Sequence, residues 1–182
     1  MAKTYNTFTN VATGDVYTAS QHNAILTNLG NYRVPPMALT TITANQTVAS
    51  GSNTKLALDA ATFQTDDTMV TSGAAGRITV NTAGVYLVAF SFVYNDKNTT
   101  GARYATVTLN GETGADNLAG KLPLSNMLPQ GNNWRSFSGS RLMSLSAGNY
   151  LQVEFYQSSG VSMTDVAAYP SFFQVAWLGQ AS

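Results

Sequence analysis

The residues whose types could support acid–base or nucleophilic chemistry are few and far apart in the sequence. The chain has one histidine, His22, and no cysteine. A hydrolytic or transfer reaction needs a nucleophile, a base and an orienting group, and no such triad can be assembled around His22. A lone imidazole on the apolar side of a helix is typical of packing or of a subunit contact. Clustered carboxylates, which glycoside hydrolysis requires, are absent too, so the sequence predicts a protein that is not an enzyme.

The aspartates are the residues to consider for a metal site. Asp66 and Asp67 stand side by side in FQTDDTMV, and Asp59 precedes them. Calcium takes about six to eight oxygen ligands, whereas two adjacent aspartates are more typical of a polar turn before a strand. The sequence therefore predicts no bound metal and no cofactor, and a calcium site at Asp66 and Asp67 is the open alternative.

One segment has the side chains that carbohydrate sites use. The run GNNWR places Trp134 and Arg135 directly after two asparagines. An aromatic platform beside amide and guanidinium donors suits a shallow sugar site. Trp134 also begins a predicted strand, where a tryptophan is more typical of packing. Trp134 and Arg135 are thus candidate contacts for a carbohydrate, with packing as the other interpretation.

The composition excludes two classes of partner. Nine basic and nine acidic residues cancel, and only 10% of the 182 residues are charged. Binding to nucleic acid or to an anionic membrane surface needs a basic footprint that this chain lacks. No apolar run is long enough to span a membrane, and MAKTYNTFTN does not resemble a signal peptide, so we expect no membrane insertion and synthesis in a cytoplasm. A surface so poor in charge favours packing within an assembly.

One helix is predicted, over about residues 18–29. Thr18 is a typical N-cap, Gln21 completes a capping box and Gly30 is a typical C-terminal stop. Pro35 and Pro36 prevent further helix, so residues 31–38 are expected to form an extended linker. A helix of about three turns is unstable alone in water, so its apolar side must contact something. The candidate contact residues are Ile25, Leu26 and Leu29.

The rest of the chain predicts an all-β domain. Short runs rich in valine, isoleucine, threonine and aromatic residues alternate with turn residues, and eight to ten strands suit a two-sheet antiparallel jelly-roll sandwich. We therefore divide the chain into an N-terminal arm, residues 1–36, and a jelly-roll domain, residues 37–182. The strongest predicted strands are 77–81, 85–94, 103–110, 135–145, 150–157, 161–166 and 172–178, with weaker ones at 39–48, 54–58 and 68–70.

Two predicted strands are apolar on both faces. VYLVAFSFVY (85–94) and FFQVAWL (172–178) carry apolar residues at odd and even positions alike. A strand in an antiparallel sandwich normally buries one face only, so a second copy of the chain is the simplest cover for the other. The pattern predicts a homo-oligomer but does not tell which face lies inside. The residues expected to divide between sandwich core and subunit contact are Tyr86, Phe90, Phe92, Phe155, Phe173 and Trp177.

Several motifs follow one another between roughly residues 40 and 179. They are an aromatic residue soon after Gly84, the Asn110-Gly111 and Ala147-Gly148 turns, the corner at 157–160 and a closing aromatic strand. Together they resemble the tumour necrosis factor and complement-one-q jelly roll, in the version common in phage and bacterial proteins. Members of that family are usually homotrimers whose inner sheets pack around a threefold axis, so the resemblance implies a homotrimer. The chain has no collagen-like stalk, so nothing of complement biology is implied.

The start of the chain has a separate resemblance. The run GDVYTASQHN (14–23) is similar to the opening of many phage tail, fibre and appendage proteins, where it is taken to be the portion nearest the virion. This implies a structural protein of a bacteriophage particle, such as a capsid decoration protein, head fibre, tail fibre or tail-tip protein. The expected partners are two further copies and capsid, portal-tail or baseplate proteins bound through residues 1–36. An adhesion module that recognises a bacterial surface glycan or protein is the alternative function.

Overall fold

The computed structural model describes residues 18–66, 68–74, 76–96, 100–112, 125–127, 133–166 and 171–181. These residues form one helix, α1 (Ala19–Arg33), and thirteen strands. The strands are β1 (Met37–Ile42), β2 (Gln46–Val48), β3 (Ser52–Lys55), β4 (Ala61–Gln64), β5 (Val70–Thr71), β6 (Arg77–Thr79), β7 (Gly84–Asp96), β8 (Arg103–Leu109), β9 (Ser125–Met127), β10 (Asn133–Leu145), β11 (Tyr150–Gln157), β12 (Met163–Val166) and β13 (Ser171–Gly179).

The described strands form two antiparallel sheets. In the seven-stranded sheet, which we call sheet I, β7 pairs with β10 along one edge and with β13 and β12 along the other. Sheet I continues from β13 to β1 and β4, and from β12 to β2. The six-stranded sheet II has the order β5, β6, β11, β8 and β9, with β3 also paired to β11. The predicted all-β two-sheet jelly roll is confirmed.

Alternation along the strands builds the core. β1 alternates strictly between half-buried and buried positions, and the inward side chains of the two sheets meet in one apolar cluster. At its centre Phe155 of sheet II contacts Phe92 and Tyr94 of β7, with ring centroids 5.4 and 5.3 Å apart. Phe137 of β10 stacks on Tyr94 at 5.1 Å. Aromatic rings from three strands thereby join the two sheets.

The helix begins where the sequence predicted and ends later. The Thr18 hydroxyl accepts a hydrogen bond from the Gln21 amide, and the Gln21 side chain accepts one from the Thr18 amide, so the capping box is confirmed. The predicted stop at Gly30 is wrong, because α1 continues to Arg33. The helix ends where Pro35 approaches, since a proline lacks the amide that another turn needs and disfavours helical backbone before it. The first three residues of the predicted linker, 31–33, are therefore helical, and its last two belong to β1.

The sequence predicted the turns correctly but missed two short edge strands. Asn110 and Gly111 both have positive φ angles, 52° and 79°, as a type I′ turn requires, and Gly148 has φ 88° in the next predicted turn. No strand was predicted at the positions of β4 and β9. These strands are only four and three residues long. Segments this short carry too few alternating residues for a recognisable pattern.

Gln157 holds together the corner that belongs to the family-like motif. Its side chain is fully buried. Its Nε2 donates to the Val48 and Val161 carbonyls at 3.0 and 2.8 Å, while its Oε1 accepts from the Ser159 amide at 2.8 Å and hydroxyl at 2.6 Å. One side-chain amide thus binds polar groups of β2 and of the corner at 157–161, which are about 110 residues apart in the sequence.

Replacing Gln157 by leucine is expected to lower the free energy of unfolding by about 2–4 kcal/mol, because buried backbone and hydroxyl groups would lose their partners. Urea unfolding followed by circular dichroism measures this. The control is Gln180→Leu, at an exposed position after β13, with an expected change within about 0.5 kcal/mol. Equal effects of the two substitutions would contradict the structural role of Gln157.

Candidate functional site

On strands β1, β4, β7, β10 and β13, the side of sheet I that points away from the core is an uncharged and largely apolar surface, which we call the outward face. Cross-strand register sets its side chains in rows, and one row joins Leu142, Leu87, Ala176 and Met37. No charged residue occupies an outward position of β1, β4, β7, β10 or β13. The outward side chains are Met37, Leu39, Thr41, Phe63, Val85, Leu87, Ala89, Ser91, Val93, Asn95, Trp134, Ser136, Ser138, Ser140, Leu142, Ser144, Phe172, Gln174, Ala176 and Leu178.

Large apolar side chains remain accessible on this face. Leu142, Leu178 and Phe63 are 58%, 57% and 49% exposed, and Leu87 and Phe172 are half-buried. Scattered apolar residues are ordinary on a protein surface, but a contiguous apolar sheet face without charge is typical of a protein–protein contact. The outward face is therefore the candidate interaction surface of the chain.

The opposite surface, on sheet II, is polar and internally satisfied. Glu154 is fully buried, and its carboxylate lies 2.7 Å from Lys55 Nζ, which also donates to the Thr108 hydroxyl at 2.8 Å. Tyr104 and Tyr156 stack across neighbouring strands with centroids 4.6 Å apart. Lys55, Glu154 and Thr108 of sheet II thus find partners within the chain, so they do not depend on contact with another protein.

The six residues expected to divide between core and subunit contact all lie in the core. None of them is more than 4% exposed. The reason is strand alternation: Phe155 points inward from sheet II, and side chains on the same side of β7 and β13 as its ring contacts are enclosed with it. The alternate positions of β7 and β13 point outward from the core. The core residues are Tyr86, Phe90, Phe92, Phe155, Phe173 and Trp177.

Sequence reasoning missed the outward residues of β10 and β4. Leu142 and Phe63 are among the most exposed apolar side chains of the outward face. The signal for Leu142 was present in RSFSGSRLMSL, where Phe137, Met143 and Leu145 share one face and Leu142 lies on the serine-rich other face. Phe63 lies in a strand too short to be predicted, so its position became apparent only from its pairing with Leu39.

Trp134 and Arg135 point in opposite directions from β10. Trp134 is 45% exposed on the outward face, level with Asn95, while Arg135 is half-buried on the other side of the strand. The two do not form one flat ligand platform. Trp134 lies at the end of sheet I opposite to the start of β1. Asn95 lies eight positions after Leu87 on β7, which places the two rows about 26 Å apart along the strand.

The predicted contact residues of α1 differ in exposure. Leu26 and Leu29 are 53% and 55% exposed, and Ile25 is half-buried. His22 is also exposed, one turn before Leu26. No strand packs extensively on α1 within the described part of the chain. Residues 1–17, which carry the phage-like resemblance, lie outside the described residues.

Of the aspartates considered for calcium, Asp59 binds neighbouring threonines of the fold. The Asp59 carboxylate accepts hydrogen bonds from the Thr41 hydroxyl and from the amide and hydroxyl of Thr43, at 2.9–3.0 Å. Asp66 is buried, and Asp67 lies outside the described residues. Among residues with described positions, no three histidine, cysteine, aspartate or glutamate side chains are grouped to hold a metal ion. No described helix has the length and apolar character needed to cross a membrane.

Comparison with known proteins gives a structural match and no sequence match. No family model and no curated protein matches the chain. A crystal structure of murine APRIL at pH 8.0 superposes with a TM-score of 0.57 at 12% identity, covering 79% of this chain and 98% of that one. The structure of Eiger TNF from S. frugiperda gives a TM-score of 0.56 at 18% identity, covering 81% and 96%. The chain has a tumour necrosis factor-like jelly-roll fold.

The fold agrees with the jelly-roll resemblance that the sequence motifs indicated. Strands β1 to β13 cover the stretch in which the resembling motifs occur. Gly84, at the start of β7, shows what one motif does: a Cβ there would lie 2.1 Å from the indole nitrogen of Trp177 in the closing strand. At identities of 12–18% the two solved structures inform on the fold alone. Function has to be argued from the surfaces.

Proposed function

We propose that the chain is a non-enzymatic structural component of a bacteriophage virion, a homotrimeric surface appendage attached through its N-terminal segment. The observation that carries the trimer is the uncharged outward face of sheet I. The virion assignment is supported by the resemblance of residues 14–23 to phage appendage proteins. Capsid decoration, head fibre, tail fibre and tail-tip positions all fit this proposal.

The absence of charge on the outward face suits rotational symmetry. Around a threefold axis each side chain near the axis approaches two identical copies of itself, so any charge there would be repelled by like charges in a poorly solvated space. Leucine, alanine and serine side chains meet no such penalty. The row through Leu142, Leu87 and Ala176 has this composition. Sheet II, in which Lys55 pairs with the buried Glu154, then lies on the side of each subunit away from the axis.

The two ends of the sandwich suit different tasks. The helix α1 joins β1 at the end of sheet I that holds Met37 and Trp177. Trp134 lies about 26 Å away along β7, at the opposite end. Attachment through residues 1–36 to a capsid, portal-tail or baseplate protein would leave the Trp134 end exposed to the surroundings.

This arrangement predicts how the chain occurs in particles. Virions of the encoding phage, purified by density gradient, are expected to contain the chain in a multiple of three copies, as measured by quantitative mass spectrometry. Particles assembled with a chain that lacks residues 1–36 are expected to contain none, with unchanged amounts of the other virion proteins. Particles that retain the truncated chain would contradict attachment through the N-terminal segment.

Trp134 gives the adhesion alternative a specific basis, because it is an exposed aromatic side chain at the distal end. Tryptophan is frequent among the residues that dominate binding energy. If the virion role is structural only, Trp134→Ala is expected to leave phage adsorption to host cells within about twofold of the unsubstituted phage. Adsorption reduced about tenfold or more, with unchanged particle composition, would instead favour recognition of a surface glycan or protein. The control is Ser136→Ala, two residues further along the same face.

A further inference from the structure

The helix α1 presents a side with no charge and with two accessible leucines. From Val16 to Tyr32 the sequence contains no aspartate, glutamate, lysine or arginine, and its one ionisable side chain of the basic type is His22. Leu26 and Leu29 are more than half exposed, while Ala24 and Asn28 on the adjacent side are less accessible. Solvated helices usually carry charged residues on the side that faces water. Leu26 and Leu29, which we call the leucine stripe, are therefore a candidate contact surface.

The connection from α1 to sheet I is held in place. The Pro35 carbonyl accepts a hydrogen bond from the Thr65 hydroxyl at 2.6 Å, and that hydroxyl accepts from the Met37 amide at 2.8 Å. The Pro36 carbonyl accepts from the Trp177 amide at 2.9 Å. Only Val34 separates the helix from this fixed segment. The end of α1 is thus tied to a defined point at the edge of the outward face, beside Met37.

We infer that the leucine stripe of α1 packs against α1 of two other copies, so that a short three-helix bundle continues the contact made by the outward faces. The inference rests on the proposed trimer, because the outward faces are what bring three copies of the anchored Pro35–Met37 segment to the same end of one axis. Residues 1–17 remain available to bind the virion. The bundle would align the three attachment segments side by side.

The spacing of the apolar residues fits this occupant. His22, Ile25 and Leu29 are separated by three and four residues, the a-d-a spacing of a coiled-coil seam, and Leu26 flanks the seam. A bundle of two turns per helix is too short to be stable alone, so it has to form as an extension of a larger contact. From Thr18 to Tyr32 no aspartate, glutamate, lysine or arginine is present to create like-charge repulsion between identical parallel helices.

Single cysteines in the full chain test the inference, since the natural sequence has none. Leu29→Cys is placed on the leucine stripe, and the control Thr27→Cys on an exposed position of the same helix that faces away from it. Mild oxidation is followed by denaturing electrophoresis, and the mass of each reduced variant is measured by light scattering. Leu29→Cys is expected to form disulfide-linked dimers at least about tenfold faster than Thr27→Cys, because its thiols meet at the axis.

The outcomes separate the two proposals. If the reduced variants are trimers and both cysteines cross-link at the same rate, the helix bundle is wrong and the jelly-roll trimer stands. If the variants are monomers, both are wrong. A second measurement is independent of cysteine geometry: Leu26→Gln with Leu29→Gln is expected to raise the concentration at which the trimer dissociates by about tenfold or more, and Thr27→Gln is expected to leave it unchanged. Equal dissociation concentrations for both would overturn the inference.

Discussion

Replacing Leu87 by glutamate is expected to convert the proposed trimer into a folded monomer. Leu87 lies near the middle of the outward face, between Leu142 of β10 and Ala176 of β13. The substitution removes an apolar contact from each subunit and introduces three like charges around one axis, in a region that association would dry. The dissociation constant is expected to rise at least about a hundredfold. Light scattering measures the mass, and near-ultraviolet circular dichroism reports whether the aromatic core is intact.

The matched control introduces the same charge on the other sheet. Asn53 is exposed on β3, on the outer side of sheet II, where its side-chain oxygen accepts a hydrogen bond from Tyr104. A glutamate oxygen can accept the same bond, so Asn53→Glu is expected to leave both the fold and the trimer unchanged. Dissociation by Asn53→Glu, or a trimer that survives Leu87→Glu, would mean that the outward face of sheet I is not the contact surface.

Phe172 and Phe173 are adjacent residues of one type with opposite environments. Phe173 is fully buried in the core, whereas Phe172 is half-buried on the outward face. Phe173→Ala is expected to lower the free energy of unfolding by about 3–5 kcal/mol, because it removes a ring from a closed apolar cluster. Phe172→Ala is expected to lower it by less than about 1 kcal/mol when association does not contribute.

Both phenylalanine variants are best compared in the monomeric Leu87→Glu background by urea unfolding. In the otherwise unsubstituted chain, Phe172→Ala is expected to weaken association, because Phe172 lies on the same face as Leu87. The pair therefore separates folding from assembly at neighbouring positions. Similar losses of stability from the two substitutions in the monomeric background would contradict the assignment of inward and outward faces to β13.

Local sequence signals predicted the elements that depend on a few neighbouring residues. The capping box forms between Thr18 and Gln21 alone, and the tight turn depends only on Asn110 and Gly111, which both have positive φ angles. The helix end was misplaced because Gly30 is a typical stop but is tolerated inside a helix, and the proline that ends α1 comes later. The motifs of residues 40–179 predicted the fold through family resemblance.

The candidate site could not be predicted because both faces of β7 are apolar. Tyr86 and Leu87 are equally acceptable as core residues in the sequence, and the choice between them depends on the partner sheet. Phe155 of β11 makes that choice by packing on Phe92 from sheet II. The role of Gln157 is likewise set by long-range contacts, because its amide joins Val48 to Val161 only once the corner has folded.

The central claim is that three copies associate through the outward face of sheet I, and the solution mass of the full chain tests it most directly. Multi-angle light scattering coupled to size-exclusion chromatography is expected to give a mass three times that of the 19.3 kDa chain. Under the same conditions Leu87→Glu is expected to give the mass of one chain. A monomeric mass for the unsubstituted chain, at concentrations where a stable trimer would persist, would contradict the account.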